Sequence, residues 1–450
     1  MKRFLALLVA FFSLTLPASA QVRRIGLDDA VKVALEQNRD LKVARLESEK
    51  SAQKVREARG GLLPTLTASA NATHSFQSAQ FLANATSAIF APAGTPVRSG
   101  FSLITLQNIN TFSAGLSLTQ PLFQGAVYSG LRVAAIVDES SAEALTNTRA
   151  AVITDVKKAY YNVLIAAEVL NLQQQSLARS EDALADARAL FKQGVVGDID
   201  TLRAFVAMKN VQPALIKART NVKVAKTLLC VRMGLPQTEP LELSDTLNLG
   251  EISALPAEDA AYAEAVDRRP DVRGLALSAQ IATEQVSAEF AAHLPSLVAV
   301  AQFQVLTQSD TWDFGTYRWP SNSSVGLQLS VPIFSGFRTD ARVQQATLAL
   351  QQSQTQLDNV KEILRSEITL ALSAVEESRE RILVQQQTVA SAERSYAITR
   401  NRRQQGVGSQ LELTDAELAL NQAKTNYLQA VNDYLAAKTD LEKSLGRAGR

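Results

Sequence analysis

The 450-residue chain is short of the groups on which most protein chemistry depends. It holds one cysteine, Cys230, so no disulfide can form within it. The apolar neighbours Leu228, Leu229 and Val231 predict a buried, inert thiol there. Its two histidines, His74 and His293, are too few and too far apart in sequence to suggest a metal centre. Basic and acidic residues nearly balance, at 46 against 44, which excludes the one-sided charge of a nucleic-acid binder. The sequence offers no Ser/His/Asp or Cys/His constellation and no glycine loop of the kind that cradles phosphate. After residue 20 no apolar run approaches the ~20 residues of a membrane-spanning helix. Proline is absent between Pro121 and Pro213, glycine between Gly130 and Gly194, and both from Phe337 to Gln405. Such stretches of helix formers, from about 126 to 192 and about 337 to 404, predict helices on the order of 100 Å long. Helices of that length require neighbouring helices rather than a globular core.

The N-terminus reads as a secretory signal peptide over residues 1–20. Lys2 and Arg3 form the basic region, Phe4 to Leu16 the apolar one, and Ala18-Ser19-Ala20 the cleavage site. The mature chain is expected to start near Gln21, which is not a cysteine and so gives no lipid attachment point.

The remainder is a duplication. Gly115-Leu-Ser-Leu-Thr-Gln-Pro-Leu-Phe-Gln-Gly125 returns as Gly326-Leu-Gln-Leu-Ser-Val-Pro-Ile-Phe-Ser-Gly336. Lys192-Gln-Gly-Val-Val-Gly197 returns as Gln404-Gln-Gly-Val-Gly408, and Leu63-Pro64 as Leu294-Pro295. Residues 21–236 form the first repeat, 237–257 an inter-repeat segment expected to fold against the helices, and 258–450 the second repeat. Alternating apolar and polar residues predict strands at about 64–74, 110–123, 295–306 and 323–334. Apolar residues at heptad-like spacing, from Leu357 through Leu364, Val375 and Ile382 to Tyr396, predict coiled-coil packing of the long helices. After the second glycine turn, Leu411, Leu418 and Thr425 continue it. Glycine turns at about 193–198 and 405–409 close two helical hairpins, and Pro213 is expected to interrupt or kink the returning helix of the first. An aromatic group, Trp312, Tyr317 and Trp319, fills the second inter-strand loop, either as interfacial anchors or as loop packing.

This order of elements, with the two Gly-Leu-x-Leu…Pro-x-Phe marks and Arg268-Arg269-Pro270-Asp271-Val272, resembles the TolC-like outer-membrane efflux protein family over essentially the whole mature chain. In the first half the counterpart Gln37-Asn38-Arg39-Asp40-Leu41 lacks the proline. The resemblance implies an α+β membrane protein in which three chains share one β-barrel of about twelve strands, continued by a periplasmic α-helical barrel. It implies a passive exit duct for tripartite efflux or type I secretion in a Gram-negative outer membrane. The partners it implies are two further copies, a periplasmic adaptor, an inner-membrane transporter of RND, ABC or MFS type, and outer-membrane lipid. No cofactor, metal or nucleic acid is implied.

The resemblance also assigns roles. Glu412 and Asp415 match the carboxylate rings of the periplasmic entrance, where three copies of each would favour cations and raise one another's pKa. Without it, both are solvated acids in a helix's first turn, where the macrodipole favours them. Gly194, Val195, Val196, Gly197, Gly406, Val407 and Gly408 become adaptor-docking tips, and Asn162, Gln173–Gln175 and Gln385–Gln387 candidates to line water. Arg400, Arg402 and Arg403 end the long second helix, where complementing the helix dipole is a sufficient reason for them. The alternative, not carried over from the family, is that Arg403 pairs with Asp200 of a neighbouring hairpin as a gate latch. Relatives often carry an aromatic residue at the position of Arg403. The alternatives are an exported coiled-coil scaffold or adhesin, and an exported enzyme for which no site is visible.

Overall fold

The computed structural model describes residues 23–76, 80–84, 101–105, 109–247 and 254–448. The signal peptide expected at 1–20 and most of residues 77–108 lie outside the described residues. The elements run β1 (Arg23–Ile25), α1 (Leu27–Gln37), α2 (Arg39–Gly60), β2 (Thr65–His74), β3 (Gln80–Asn84), β4 (Phe101–Thr105), β5 (Asn110–Phe123), α3 (Gly125–Lys192) and α4 (Asp198–Met233). The second half gives β6 (Leu241–Leu243), α5 (Glu258–Arg268), α6 (Pro270–Phe290), β7 (Ser296–Ser309), β8 (Ser321–Ser330), α7 (Arg338–Gln404) and α8 (Gln410–Ser444). α3 has 68 residues and α7 67, so neither is broken along the stretches that lack glycine and proline. β8 stops at Ser330, short of the expected 334, where its ladder partner β7 begins at Ser296.

Two compact units divide the chain. The unit of residues 51–138 and 279–353 carries a four-stranded antiparallel sheet in the order β2-β5-β7-β8. Its register separates two faces. Leu66, Leu118, Ala301 and Val325 form one transverse row, and Thr67, Ser117, Gln302 and Ser324 the next, on the opposite face. The apolar row is bare, with Leu66 66% and Val325 87% exposed. β2 and β8 are the edges, and every residue of both is exposed. Gly115 is confined by packing, since a Cβ there would lie 2.9 Å from the Phe303 carbonyl oxygen. Beyond the strand ends, Trp312 stacks on His74 and meets Phe112, which also faces Tyr317. The second-loop aromatics thus include a packed cluster, although Trp312 and Trp319 stay largely exposed.

The other unit, residues up to 50 with 139–278 and 354–450, is helical and contains both hairpins. Its core repeats like the sequence. Ala30, Val33 and Ala34 of α1 bury against Val156 and Tyr160 of α3 and Leu229 and Met233 of α4. Ala261 and Ala265 of α5 bury against Leu364 and Ile368 of α7 and Leu441 and Leu445 at the end of α8. Each short helix is followed by a corner, with Asn38 at φ −61° and ψ 131° in one and Arg269 at φ −71° and ψ 123° in the other. A glycine at positive φ closes each long hairpin onto its corner, Gly234 beside Gln37 and Gly446 beside Arg268.

The interruption expected at Pro213 is corrected, and two further features take definite form. Leu411 and Leu418 do not enter the core of the chain. They are 52% and 67% exposed, while Leu413 and Leu420, on the adjacent stripe, are buried. An apolar heptad reveals a seam but not which of two seams the chain itself covers. Pro213 lies inside α4 without ending it. The inter-repeat segment lies against the helices: β6 pairs in parallel with β1, and Asp245 accepts from the Leu27 amide at 2.9 Å and the Tyr160 hydroxyl at 2.8 Å. Burial, together with that hydrogen bond, pushes the Tyr160 hydroxyl far above the usual phenol range.

Candidate functional site

Both hairpin tips use the same backbone device. α3 ends with Gly194 at φ +73°, whose amide donates to Phe191 O at 2.9 Å while the Val195 amide donates to Leu190 O at 3.0 Å. α7 ends with Gly406 at φ +74°, whose amide donates to Arg403 O at 3.0 Å while the Val407 amide donates to Arg402 O at 3.1 Å. These are Schellman endings, in which only glycine takes the left-handed position without strain. The repeated Gln-Gly-Val is therefore a helix stop in both halves. The tips differ in how the next helix starts. Gly197 precedes α4 without a side-chain cap, whereas the Ser409 hydroxyl accepts from the Glu412 amide at 3.1 Å. Val195 and Val407 are exposed at 56% and 67%, as are Ile199 and Leu202 on the first turn of α4.

Arg403 ties the two tips together. Its Nη2 lies 3.3 Å from Asp200 Oδ2 on α4, and its Nη1 donates to Gly408 O at 3.2 Å. Arg403 is only 5% exposed and Asp200 half-buried, and the guanidinium also satisfies a carbonyl of its own tip. Gly408 lies tight against the same turn, where a Cβ would meet the Arg403 amide nitrogen at 3.1 Å. The structure thus brings Arg403 and Asp200 into contact within one chain.

Glu412 and Asp415 are both exposed on the first turns of α8. Glu412 faces Arg402 at 3.9 Å, a contact between exposed side chains that contributes little. The candidate water-lining residues Asn162, Gln386 and Gln387 are exposed.

One charged residue escaped the sequence reading. Glu417 is 8% exposed, accepts from the hydroxyls of Ser176 and Ser180 on α3, and has Arg179 Nε at 3.6 Å. The signal was available: Glu417 falls between Leu413 and Leu420 at spacings of four and three, on the stripe the chain buries. An acid in that register is a buried acid.

Among the described residues no cluster of His, Cys, Asp and Glu could hold a metal ion, and no helix is long and apolar enough to cross a membrane. Cys230 is buried and its thiol is pushed up by burial.

The two matched hairpins, the repeated corners and the four-stranded sheet coincide with one family model, the outer membrane efflux protein, over residues 30–234 and 261–447. The chain belongs to that family. The two matched segments bracket the β6 region, so the family pattern is itself duplicated in this chain. Among curated relatives, alkaline protease secretion protein AprF of Pseudomonas aeruginosa is 28% identical, with 97% of this chain and 87% of AprF covered. Outer membrane protein TolC of Escherichia coli is 24% identical, with 91% and 80% covered. Among solved structures, the Campylobacter jejuni CmeC outer membrane channel matches with a TM-score of 0.74 at 20% identity, covering 94% of this chain and 86% of CmeC. That last likeness establishes the fold. As a family of transport channels, the outer membrane efflux proteins give no ground for expecting catalysis here.

Proposed function

We propose that this chain is one of three identical subunits of an outer-membrane exit duct, serving either efflux or type I secretion. The observation that carries the reading is the sheet of four strands with an apolar, bare face and two unpaired edges, β2 and β8. A sheet that meets lipid cannot leave its edges open, and three copies pairing β8 to β2 would close about twelve strands. The exposed seam of Leu411 and Leu418 and the exposed Ile199, Leu202 and Val206 then supply apolar surface for neighbouring helices. An exported scaffold or adhesin would instead leave that sheet face in water, whereas an exposed apolar patch marks a surface that lipid or a partner covers.

In this reading the hairpin tips form the periplasmic entrance and meet an adaptor, with energy supplied by an inner-membrane transporter of RND, ABC or MFS type. Glu412 and Asp415, in three copies, line the entrance. The Arg403–Asp200 pair latches the second hairpin to the first, and opening requires separating them. The mature chain begins near Gln21 after export.

Two measurements test this. The detergent-solubilised outer-membrane fraction should yield three-fold hollow particles with heat-modifiable migration; solid rods or two-chain particles would replace the duct with the scaffold. In planar bilayers Asp200→Ala should raise single-channel conductance, because it leaves buried Arg403 without its carboxylate, a loss of about 2–3 kcal/mol. Conductance equal to that of the unaltered protein would remove the latch from the reading while leaving the duct intact.

A further inference from the structure

The gate uses exposed carboxylates at the tip, yet the most deeply buried carboxylate of the hairpins lies beyond it. Glu417 sits two turns into α8, between the first and second hairpins. Its Oε1 accepts from Ser176 Oγ and Ser180 Oγ at 3.3 Å each, and its Oε2 from Ser180 Oγ at 3.3 Å. Its one cationic neighbour is Arg179, whose Nε stands off at 3.6 Å and finds no hydrogen-bond acceptor among the described residues. Arg179 directs Nη2 to Asn421 Oδ1 at 2.8 Å and packs its guanidinium over the Tyr396 ring at 5.8 Å. Asn421 in turn donates to Ser176 Oγ at 2.6 Å.

The groups facing Glu417 are therefore few. α3 brings Arg179 and the two serines, with Asp182 one layer out against Tyr396. α7 brings Tyr396, with Arg400 beyond it. α4 contributes Ala207, Asn210 and Val211 to a groove of about 350 Å³ beside the carboxylate, and none of these titrates. A carboxylate in this place is largely buried, with two neutral hydroxyls and a distant guanidinium as its partners. Burial accordingly holds its pKa above the usual range even against the pull of Arg179 and the serines. Buried pairs of poor geometry do not recover the cost of removing both charges from water.

We propose that Glu417 makes the seam between α3 and α8 proton-sensitive, the neutral carboxyl holding the two hairpins together and the charged carboxylate favouring their separation. A group whose carboxyl titrates high when buried and normally when hydrated binds its proton more tightly in the closed seam. Acid therefore stabilises the closed seam, and that stabilisation is lost as pH rises through the buried carboxyl's pKa. Each unit separating the two values changes the closed-to-parted ratio about tenfold. Only the conductance arm of the test rests on the duct reading; the melting arm does not.

The full-length protein in detergent is melted across pH as the unaltered chain, Glu417→Gln and Arg179→Met. Gln keeps the shape and stays neutral, so Glu417→Gln should melt at or above the unaltered chain at neutral pH, and the difference should close on acidification. Arg179→Met strands the charge, so it should melt lower at neutral pH and recover in acid. In bilayers the same variants should move conductance in opposite directions, Glu417→Gln down and Arg179→Met up. Parallel pH profiles for Glu417→Gln and the unaltered chain would overturn the proposal, as would Glu417→Gln melting as low as Arg179→Met. If no variant conducts, Asp200→Ala included, the duct reading fails and the melting profiles still decide whether the seam senses protons.

Discussion

In the first repeat Gly234 closes α4 onto the corner at Gln37 and Asn38, and in the second Gly446 closes the end of α8 onto the corner at Arg268 and Arg269. The backbones match, each with a Schellman ending at positive φ against an extended residue between two helices. The side chains do not. Asn38 donates from Nδ2 to Arg232 O at 2.8 Å and accepts from the Asp40 and Leu41 amides, so a neutral amide holds the first corner. Arg269 forks onto Asp271 at 3.0 and 2.7 Å and reaches Glu367 at 2.9 Å, so an ionic cluster holds the second. Duplication preserved what backbone geometry demands and left the polar chemistry free to diverge.

Adding a methyl group to each glycine is the harshest way to break that equivalence. A Cβ at Gly234 would lie 2.4 Å from Gln37 O, and one at Gly446 would lie 2.9 Å from the Arg268 carbonyl carbon. Both neighbours are backbone atoms, and at Gly446 the Arg268 Cβ, fixed to its backbone, also stands at 2.9 Å. Gly234→Ala should cost about 3 kcal/mol or more and Gly446→Ala about 2, by strain at positive φ plus the clash. Thermal melting of the two variants checks the order. Equal losses would mean that the corners yield alike and that the closer approach at Gly234 relaxes freely.

Acid should separate the corners next. Burial pushes the Asp271 carboxyl up, but the Arg269 fork and the Val272 amide outweigh it and leave the pKa below the usual carboxylate range. A carboxyl depressed in the folded state stabilises above its unfolded pKa, near 4, and that contribution is lost as pH falls through the folded value. Asp271→Asn should therefore destabilise at neutral pH by about 1–2 kcal/mol and flatten the acid limb of the melting profile. Asn38→Asp, in the neutral corner, should add acid dependence where there was none. An unchanged acid limb in Asp271→Asn would assign that limb to other carboxylates.

How much of this was legible in the sequence depends on whether the signal was local. Helix lengths were, since proline and glycine punctuate them and α3 and α7 run through the stretches that lack both. The sheet was too, because period-two alternation from Leu66 to Ala72 and from Val325 to Leu329 survives in the register. The contact of Arg403 with Asp200 was only half legible, because basic residues at the end of α7 are already accounted for by the helix dipole and nothing local selects Asp200 as a partner. What stayed hidden depends on which surface the chain covers for itself. Leu411 and Leu413 both belong to apolar heptads, and only packing tells the covered seam from the bare one. Three-residue strands such as β1 and β6 carry no periodicity to read, so the capture of Leu27 and Tyr160 by Asp245 was out of reach.

The tips offer the gentlest comparison. Gly194 and Gly406 stop their helices alike, but α8 restarts under the Ser409 hydroxyl and α4 restarts at Gly197 with no cap. Gly197 has φ −83° and ψ 163°, extended backbone that serine adopts without strain, and its Cβ would meet nothing nearer than Ile199 Cγ2 at 3.8 Å. Ser409→Ala should therefore cost about 1 kcal/mol, and Gly197→Ser should gain a few tenths, roughly the difference between a serine and a glycine cap. Hydrogen exchange reads both locally: the Glu412 amide, now bonded to Ser409 at 3.1 Å, should exchange faster in Ser409→Ala. In Gly197→Ser the Asp200 amide, which now donates to Gly197 O, should exchange more slowly. Because Asp200 is also the carboxylate that meets Arg403, a firmer first turn of α4 should hold it in place for that pair. A tip that gained a cap without slowing exchange at Asp200 would show that Arg403, rather than the start of the helix, already fixes that turn.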